Sequence, residues 1–115
     1  MNPVERLWAA MRNHDWKGVA AQLHPHVIVE FPATGERFEG PNEFVMSHRL
    51  RPDELSVKRI DIINGELEVA VHAVITTPTG TDHLMAFYRL QETRISHIVE
   101  LWVTAGAVPP PHWRR

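Results

Sequence analysis

Glu100 is the residue of this chain whose setting most strongly suggests chemistry. It lies between Ile98 and Trp102 on one face of a predicted strand, because side chains in a strand repeat every two residues. Burying a carboxylate among apolar neighbours is costly unless the group is hydrogen-bonded, and such groups are commoner in ligand pockets than in plain cores. The sequence therefore predicts a pocket that contains Glu100.

Other residue types capable of chemistry have no suitable spacing. Of eight histidines, His24 and His26 are the one close pair, and the rest lack the spacing of a zinc site. The chain has no cysteine, its serines lack the Gly-x-Ser-x-Gly frame, and its glycines occur singly. We therefore expect no metal, no cofactor and no covalent catalysis.

Size and charge exclude several classes of protein. A chain of 115 residues with 43% hydrophobic and 23% charged residues fits one globular domain that buries roughly two thirds of its unfolded surface. A formal net charge of -2 with interleaved signs argues against nucleic-acid and membrane partners. The lack of cysteine, of an N-terminal signal and of a long apolar segment leads us to expect a cytoplasmic protein.

Three short helices are predicted in the first half of the chain. Asn2-Pro3 starts the first, which runs to about Asn13, and Asp15 caps a second that Pro25 ends. A strand over 27–31 follows, and Gly40-Pro41 begins a third helix that ends before residue 52. The helical faces are Val4, Leu7, Trp8 and Met11; then Trp16, Val19, Ala20 and Leu23; then Phe44, Val45 and His48.

Antiparallel strands make up the second half. Asn64-Gly65 predicts a two-residue type I′ turn that pairs about 55–63 with 66–76, and strands over 82–90 and 94–104 follow. The order ααβαββββ gives an α+β cone, in which a curved sheet wraps the helices and leaves a pocket at its open end. We assign 1–105 to the domain and 106–115 to a proline-rich tail, which is either docked by Trp113 or frayed.

Several segments of the chain together carry a resemblance to a known family: Val4–Ala10, Asn13–Trp16, Val29–Pro32 with Phe38–Gly40, Phe87–Leu90 and Ile95–Trp102. They resemble SnoaL-like members of the nuclear-transport-factor-2-like superfamily, which includes polyketide cyclases, ketosteroid isomerases and limonene-epoxide hydrolases. On the isomerase pattern, however, the three functional positions fall on Leu7, Phe31 and about Ala86. These apolar residues offer neither a base nor an oxyanion donor. The cyclase pattern also fails after Trp102, where Val103 replaces an acid.

The same overlay implies which residues face the cavity. It places the polar and aromatic candidates His48, Tyr88, Glu100 and Trp102 there, with Leu7, Phe31 and Ile98 as apolar lining. Each has a plainer interpretation: Glu100 could cap a buried hydrogen bond, His48 could be a half-exposed helix residue, and Tyr88 and Trp102 could be core.

The register of the last hairpin decides the neighbours of Glu100. A two-residue turn at Glu92-Thr93 would put Met85 beside Glu100 and His83 beside Trp102, whereas one bulged residue would bring Tyr88, Ala86 and Leu84 there instead. The overlay favours the bulged register, so His83 is a reserve candidate for ligand binding.

We therefore predict a small-molecule-binding protein for a small lipophilic, apolar or aromatic ligand. If it is an enzyme, it is a cofactor-independent isomerase, cyclase or hydratase with Glu100 as base or acid and His48 as its partner. The alternative is a non-catalytic binding or dimeric scaffold domain. The resemblance also implies a homodimer, formed through the sheet face that carries Arg59, His72 and Val74.

Overall fold

A computed structural model describes residues 1–51 and 56–114. Three helices precede or interrupt a six-stranded mixed sheet, which confirms the predicted α+β cone. The elements are α1 Pro3–Arg12, α2 Trp16–Ala21, β1 Leu23–Phe31, β2 Glu36–Glu39, α3 Pro41–Arg49, β3 Ser56–Asn64, β4 Glu68–Thr77, β5 Gly80–Gln91 and β6 Arg94–Thr104. Residue 55, the predicted start of the strand over 55–63, lies outside the described residues.

Strand β2 was missed from the sequence, so the observed order is ααββαββββ. The strands lie in the order β2-β1-β6-β5-β4-β3, with β1 parallel to β6 and the other neighbours antiparallel. β2 has four residues and follows a tight turn at Gly35, whose φ is +77°. A strand this short gives too few alternating positions to be distinguished from a loop.

Helix α1 begins as predicted and ends within one residue of the expected position. Asn2 Oδ1 accepts the Glu5 amide at 2.9 Å, and Glu5 Oε1 accepts the Asn2 amide at 2.9 Å. This reciprocal cap satisfies two amides that the helix leaves unpaired. Among the described residues, no helix is long and apolar enough to cross a membrane.

The start of β1 corrects the prediction for α2. The helix ends at Ala21, so Leu23 belongs to the strand and not to the helical face. Pro25 lies inside β1, where the pairing with β6 is interrupted between Leu23 and Ile28. Proline lacks an amide hydrogen and is tolerated in a strand at such an irregular point.

The hydrophobic core lies between the helices and one face of the sheet, which we call the inner face. Val4, Leu7 and Trp8 of α1 pack there with Tyr88 and Ile98, and all five are at most 2% exposed. The opposite side of the sheet is the outer face.

The β3–β4 turn differs from the predicted type I′ turn. Asn64 pairs with Val69, and neither Asn64 nor Gly65 has the positive φ that such a turn requires. Ile60 therefore pairs with Ala73, four residues beyond its predicted partner Val69. The shift is even, so each side chain keeps its predicted face. Leu67, which the predicted strand over 66–76 included, lies in the longer loop and is 62% exposed.

The last hairpin adopts the bulged register that we favoured. Glu100 pairs with Ala86, and Trp102 pairs with Leu84. The register shifts between Arg89, which pairs with His97, and Leu90, which pairs with Ile95, so that Ser96 is the extra residue. The bulge turns Glu100 to the inner face.

After β6 the chain carries no further strand among the described residues. A short 3-10 helix spans His112–Arg114, and Trp113 is 72% exposed, so Trp113 does not dock this segment.

Candidate functional site

A cavity of about 500 Å³ opens between α3 and the inner face of the sheet, with Glu100 and His48 in its wall. Its volume falls within the range of small-molecule sites in proteins. The remaining lining residues come from β1, β2, α3, the segment after α3, and β6. They are Phe31, Glu36, Phe38, Glu43, Met46, Ser47, Leu50, Arg51 and Trp102.

Glu100 is held by two nitrogen atoms at this site. His48 Nε2 lies 3.0 Å from Glu100 Oε2, and Trp102 Nε1 donates to Glu100 Oε1 at 3.2 Å. The side chains of His48 and Glu100 are 3% and 1% exposed. Each oxygen of this buried carboxylate therefore has a hydrogen-bond partner, as the burial of a charge requires.

The other ring nitrogen of His48 indicates how protons are distributed. His48 Nδ1 is buried and has no hydrogen-bond partner among the described residues. A neutral imidazole carries one N–H and one lone pair, and an unpaired buried N–H is rarer in proteins than an under-used acceptor. We therefore assign the N–H to Nε2, which makes His48 a neutral donor to an ionised Glu100.

Trp102 connects the pair to the mouth of the cavity. The Arg51 guanidinium carbon lies 4.0 Å from the centroid of the Trp102 ring, and Arg51 Nη2 lies 3.5 Å from Asp82 Oδ2. A cation over an aromatic face is attracted by the quadrupole of the ring. Trp102 therefore binds Glu100 through its edge and Arg51 through its face.

Tyr88 lies deeper, in the core behind Glu100. Its hydroxyl accepts a hydrogen bond from Trp8 Nε1 at 2.9 Å. Burial raises the pKa of the Tyr88 phenol well above its ordinary value of 10.0, the negative charge of Glu100 raises it further, and the bond from Trp8 lowers it. Tyr88 is thus a neutral core residue at neutral pH.

The structure brings together four of the eight residues proposed from the sequence. Glu100, His48, Trp102 and Phe31 line the cavity. Whether they act on a ligand stays a prediction.

The other four residues lie elsewhere. Leu7 and Ile98 are fully buried in the core, and Tyr88 is joined to Trp8 there, so none of the three lines the cavity of Glu100. His83 lies on the outer face, where its Nδ1 is 2.8 Å from His72 Nε2. The overlay placed Leu7, Ile98 and Tyr88 on the correct side of the sheet but did not show how deeply they are buried. The bulged register places His83 on the opposite face of the sheet from Glu100.

Sequence reasoning missed several members of the lining. Phe38 was missed because β2, the four-residue strand that carries it, is too short to be distinguished from a loop in the sequence. Arg51 has no distinguishing pattern, because its contact with Trp102 joins positions far apart in the chain. Met46 lies on the side of α3 that the predicted face of Phe44, Val45 and His48 left out, and Leu50 directly follows the helix.

A second concavity, of about 570 Å³, lies against the outer face. Ile63, Phe87, Arg89 and His97 are among the residues that line it, and Tyr88 contributes to its wall. Its lining lacks a buried pair of ionisable side chains, so the smaller cavity is the better candidate for chemistry. Within 1–51 and 56–114, no group of three or more potential metal ligands is found.

The fold and the site define a class: small α+β cones with a polar group inside an apolar pocket. A family model described as the SnoaL-like domain matches residues 4–98. The chain therefore belongs to the SnoaL-like family. Comparison with curated proteins gave no match.

Solved structures with the same fold share little sequence with this chain. A candidate ketosteroid isomerase from Kribbella flavida DSM 17836 superposes with a TM-score of 0.81 at 21% identity, over 97% of this chain and 83% of that one. A candidate polyketide cyclase from Xanthomonas campestris gives 0.77 at 15%, over 88% and 87%. An NTF-2 like protein of unknown function from Burkholderia xenovorans LB400 gives 0.74 at 15%, over 97% and 87%. These likenesses confirm the fold.

Proposed function

We propose that this protein binds a small apolar or aromatic metabolite in the cavity of Glu100 and transforms it by acid/base chemistry without a cofactor. The observation that carries the proposal is the buried pair of Glu100 and His48 in the wall of a cavity whose lining also includes Phe31, Phe38 and Trp102. A base that is already oriented by a second group needs no rearrangement when the substrate arrives.

The geometry suits proton transfer at a carbon or hydroxyl group of the ligand. Glu100, as the ionised partner, accepts the proton and can return it to another atom, which is the requirement of an isomerisation, cyclisation or hydration. The N–H groups of His48 and Trp102 hold the two carboxylate oxygens in place throughout. Phe31 and Phe38, whose ring centroids are 5.7 Å apart, would pack against the apolar body of the ligand.

The test begins with a thermal-shift screen of lipophilic metabolites. A ligand that binds the native state at about 100 times its Kd stabilises the protein by about 2.7 kcal/mol, which raises the melting temperature. Compounds that stabilise the protein are then incubated with it, and products are sought by mass spectrometry.

Glu100→Gln separates catalysis from binding. We expect this variant to fold and to lose turnover by about 10²- to 10⁴-fold, because the amide cannot accept the proton. Glu66→Gln, at an exposed loop position far from the cavity, is the matched control and should keep full turnover. Undiminished turnover in Glu100→Gln would remove the catalytic role.

One observation favours the alternative of a binding protein without catalysis. The side chains of Glu100 and His48 are 1% and 3% exposed, and a carboxylate that is buried and hydrogen-bonded in this way is also typical of a purely structural pair. For a pure binding protein we expect stabilising ligands that stay chemically unchanged.

We also propose that the protein is a homodimer that pairs through the outer face. Phe87 and Val103 are 53% exposed there and Met85 is 38% exposed, which leaves large apolar side chains uncovered on the central strands. The charged side chains Arg59, Asp61, Glu68 and Arg89 lie at the border of this surface. A surface of this composition is typical of protein interfaces.

Sedimentation velocity tests the dimer. Phe87→Glu should convert the wild-type dimer to a monomer, because it would bury a charge on each side of the interface. Leu67→Glu, which changes an apolar residue of the β3–β4 loop that is 62% exposed, should leave the dimer intact. A monomeric wild type, or a dimeric Phe87→Glu variant, would contradict the proposal.

A cytoplasmic location completes the proposal, on the ground that the sequence has no cysteine.

A further inference from the structure

The cavity of Glu100 carries an excess of negative charge. Among the described residues, its lining contains three carboxylates, Glu36, Glu43 and Glu100, and one guanidinium, Arg51. Asp82 lies 3.5 Å from Arg51 and matches its charge from outside the lining. Within the described residues, neither Glu36 nor Glu43 takes part in an ion pair. The hydrogen-bond partners of Glu100 are both neutral donors, so the lining keeps its negative charge.

The walls that face these carboxylates are aromatic. Phe31 and Phe38 meet edge to face, with ring planes at 68° to each other, and Trp102 adds a third ring. The Trp102 face already carries the Arg51 guanidinium at 4.0 Å. Aromatic faces attract cations, most strongly where water is excluded. The stacking of Arg51 on Trp102 shows that the aromatic wall of this cavity already binds one positive charge.

A buried polar atom at the same cavity adds to this preference. His48 lines the cavity and is 7% exposed, and its Nδ1 has no partner in the described part of the chain. With the N–H assigned to Nε2, Nδ1 carries a lone pair and is an acceptor. The cavity therefore combines negative charge, aromatic faces and an unused acceptor, all of which disfavour an anion.

We propose that the ligand of this cavity carries a positive charge and is a lipophilic amine in its ammonium form. Its apolar body packs against Phe31, Phe38 and Leu50, and its charge is stabilised by Glu36, Glu43 and Glu100. The inference rests on the proposed function, because it assumes that the cavity binds a small molecule. It adds the chemical class of that molecule.

Three compounds of matched shape test the charge. Benzyltrimethylammonium, neopentylbenzene and benzylsulfonate share a benzyl group with a bulky tetrahedral head and differ in carrying a positive, no or a negative charge. Isothermal titration of the wild-type protein should give a Kd for the ammonium compound at least about tenfold below that of the neutral one. The sulfonate should bind more weakly than both. Added salt should weaken ammonium binding and leave the neutral compound unaffected.

Variants locate the charge preference in this cavity. Glu43→Gln changes an exposed lining residue and should raise the Kd of the ammonium compound about two- to fivefold, with no effect on the neutral compound. Glu66→Gln removes the same charge from a distant loop and should change neither Kd. Equal effects of the two variants would overturn the assignment to this cavity.

The outcomes distinguish this inference from the proposed function. Neutral or anionic compounds that bind as tightly as the ammonium compound would overturn the inference and leave small-molecule binding supported. Failure of all three to bind would also overturn it. The catalytic proposal is tested separately, by the turnover of Glu100→Gln, which these titrations do not measure.

Discussion

Tyr88→Phe should make the protein less stable at neutral pH and more resistant to alkali. The substitution removes the acceptor of the buried Trp8 N–H, which lies 2.9 Å from the Tyr88 hydroxyl. A buried donor left without a partner costs about 1–3 kcal/mol, so the free energy of unfolding should fall by that amount at neutral pH. Wild type and variant can be compared by urea unfolding, followed by tryptophan fluorescence.

The alkaline behaviour follows from the pKa of Tyr88, which burial and then Glu100 raise well above 10.0. Below about pH 10 the phenol is protonated in both the folded and the unfolded chain, and the group has no effect on pH dependence. Above that pH the unfolded chain releases the proton and the folded chain retains it. Wild type should then lose about 1.4 kcal/mol of stability per pH unit, until the pH reaches the folded-state pKa.

The two effects in Tyr88→Phe oppose each other at high pH. The variant starts about 2 kcal/mol less stable but lacks the loss at alkaline pH, so the two stability curves should meet about one and a half pH units above the ordinary tyrosine pKa.

Tyr88 is the one tyrosine of the sequence, so the ultraviolet absorbance of phenolate reports on this residue alone. We expect phenolate to form together with unfolding and not before it. In Glu100→Gln its formation should shift to lower pH, because the second cause of the raised pKa is removed, but should stay above the ordinary value because burial remains. Native protein that titrates near pH 10 would refute the buried position of Tyr88 and the assignment of its pKa.

Two further substitutions test the positioning of the site. Trp102→Phe keeps an aromatic face for Arg51 but removes the N–H donor to Glu100 Oε1. It should therefore lower the free energy of unfolding, measured in urea, by about 1–3 kcal/mol. An unchanged stability would show that the 3.2 Å contact contributes nothing. Gly40→Ala should cost about 1–3 kcal/mol, because Gly40 has φ +103° and ψ 154° before α3, a region open essentially to glycine. Gly35→Ala, at φ +77°, should cost less, and equal losses would contradict a special role for Gly40.

The fold was predictable because local patterns in the sequence mark most of its helices and strands. The capped face of α1, the helix start at Gly40-Pro41 and the limits of β6 follow from local patterns, and the structure confirms them. The turn at Asn64-Gly65 was predicted wrongly, since the pairing of Asn64 with Val69 overrides the local preference of an Asn-Gly pair. An even shift kept the core residues on their face, so this error did not affect the predicted cone.

The candidate site was only partly predictable, because depth and long-range contact are not encoded locally. Alternation places Tyr88 and Ile98 on the inner face, but it cannot show that α1 covers them and closes them off from the cavity. The contact of Arg51 with Trp102 and the bond between His48 and Glu100 each join residues about fifty positions apart. No pattern within one element reports such pairs.

The extra residue at Ser96 gives this cavity an unusual sensitivity to chain length. Loss of one residue from the β5–β6 hairpin, by deletion of a single codon, would rotate the strand so that the acid leaves the interior and Val99 or Leu101 takes its place. Related genes that differ by one codon in this hairpin would then encode the same cone without the buried acid of β6. Insertions and deletions here, more than point substitutions, are therefore the events that would create or abolish an acidic interior in this lineage.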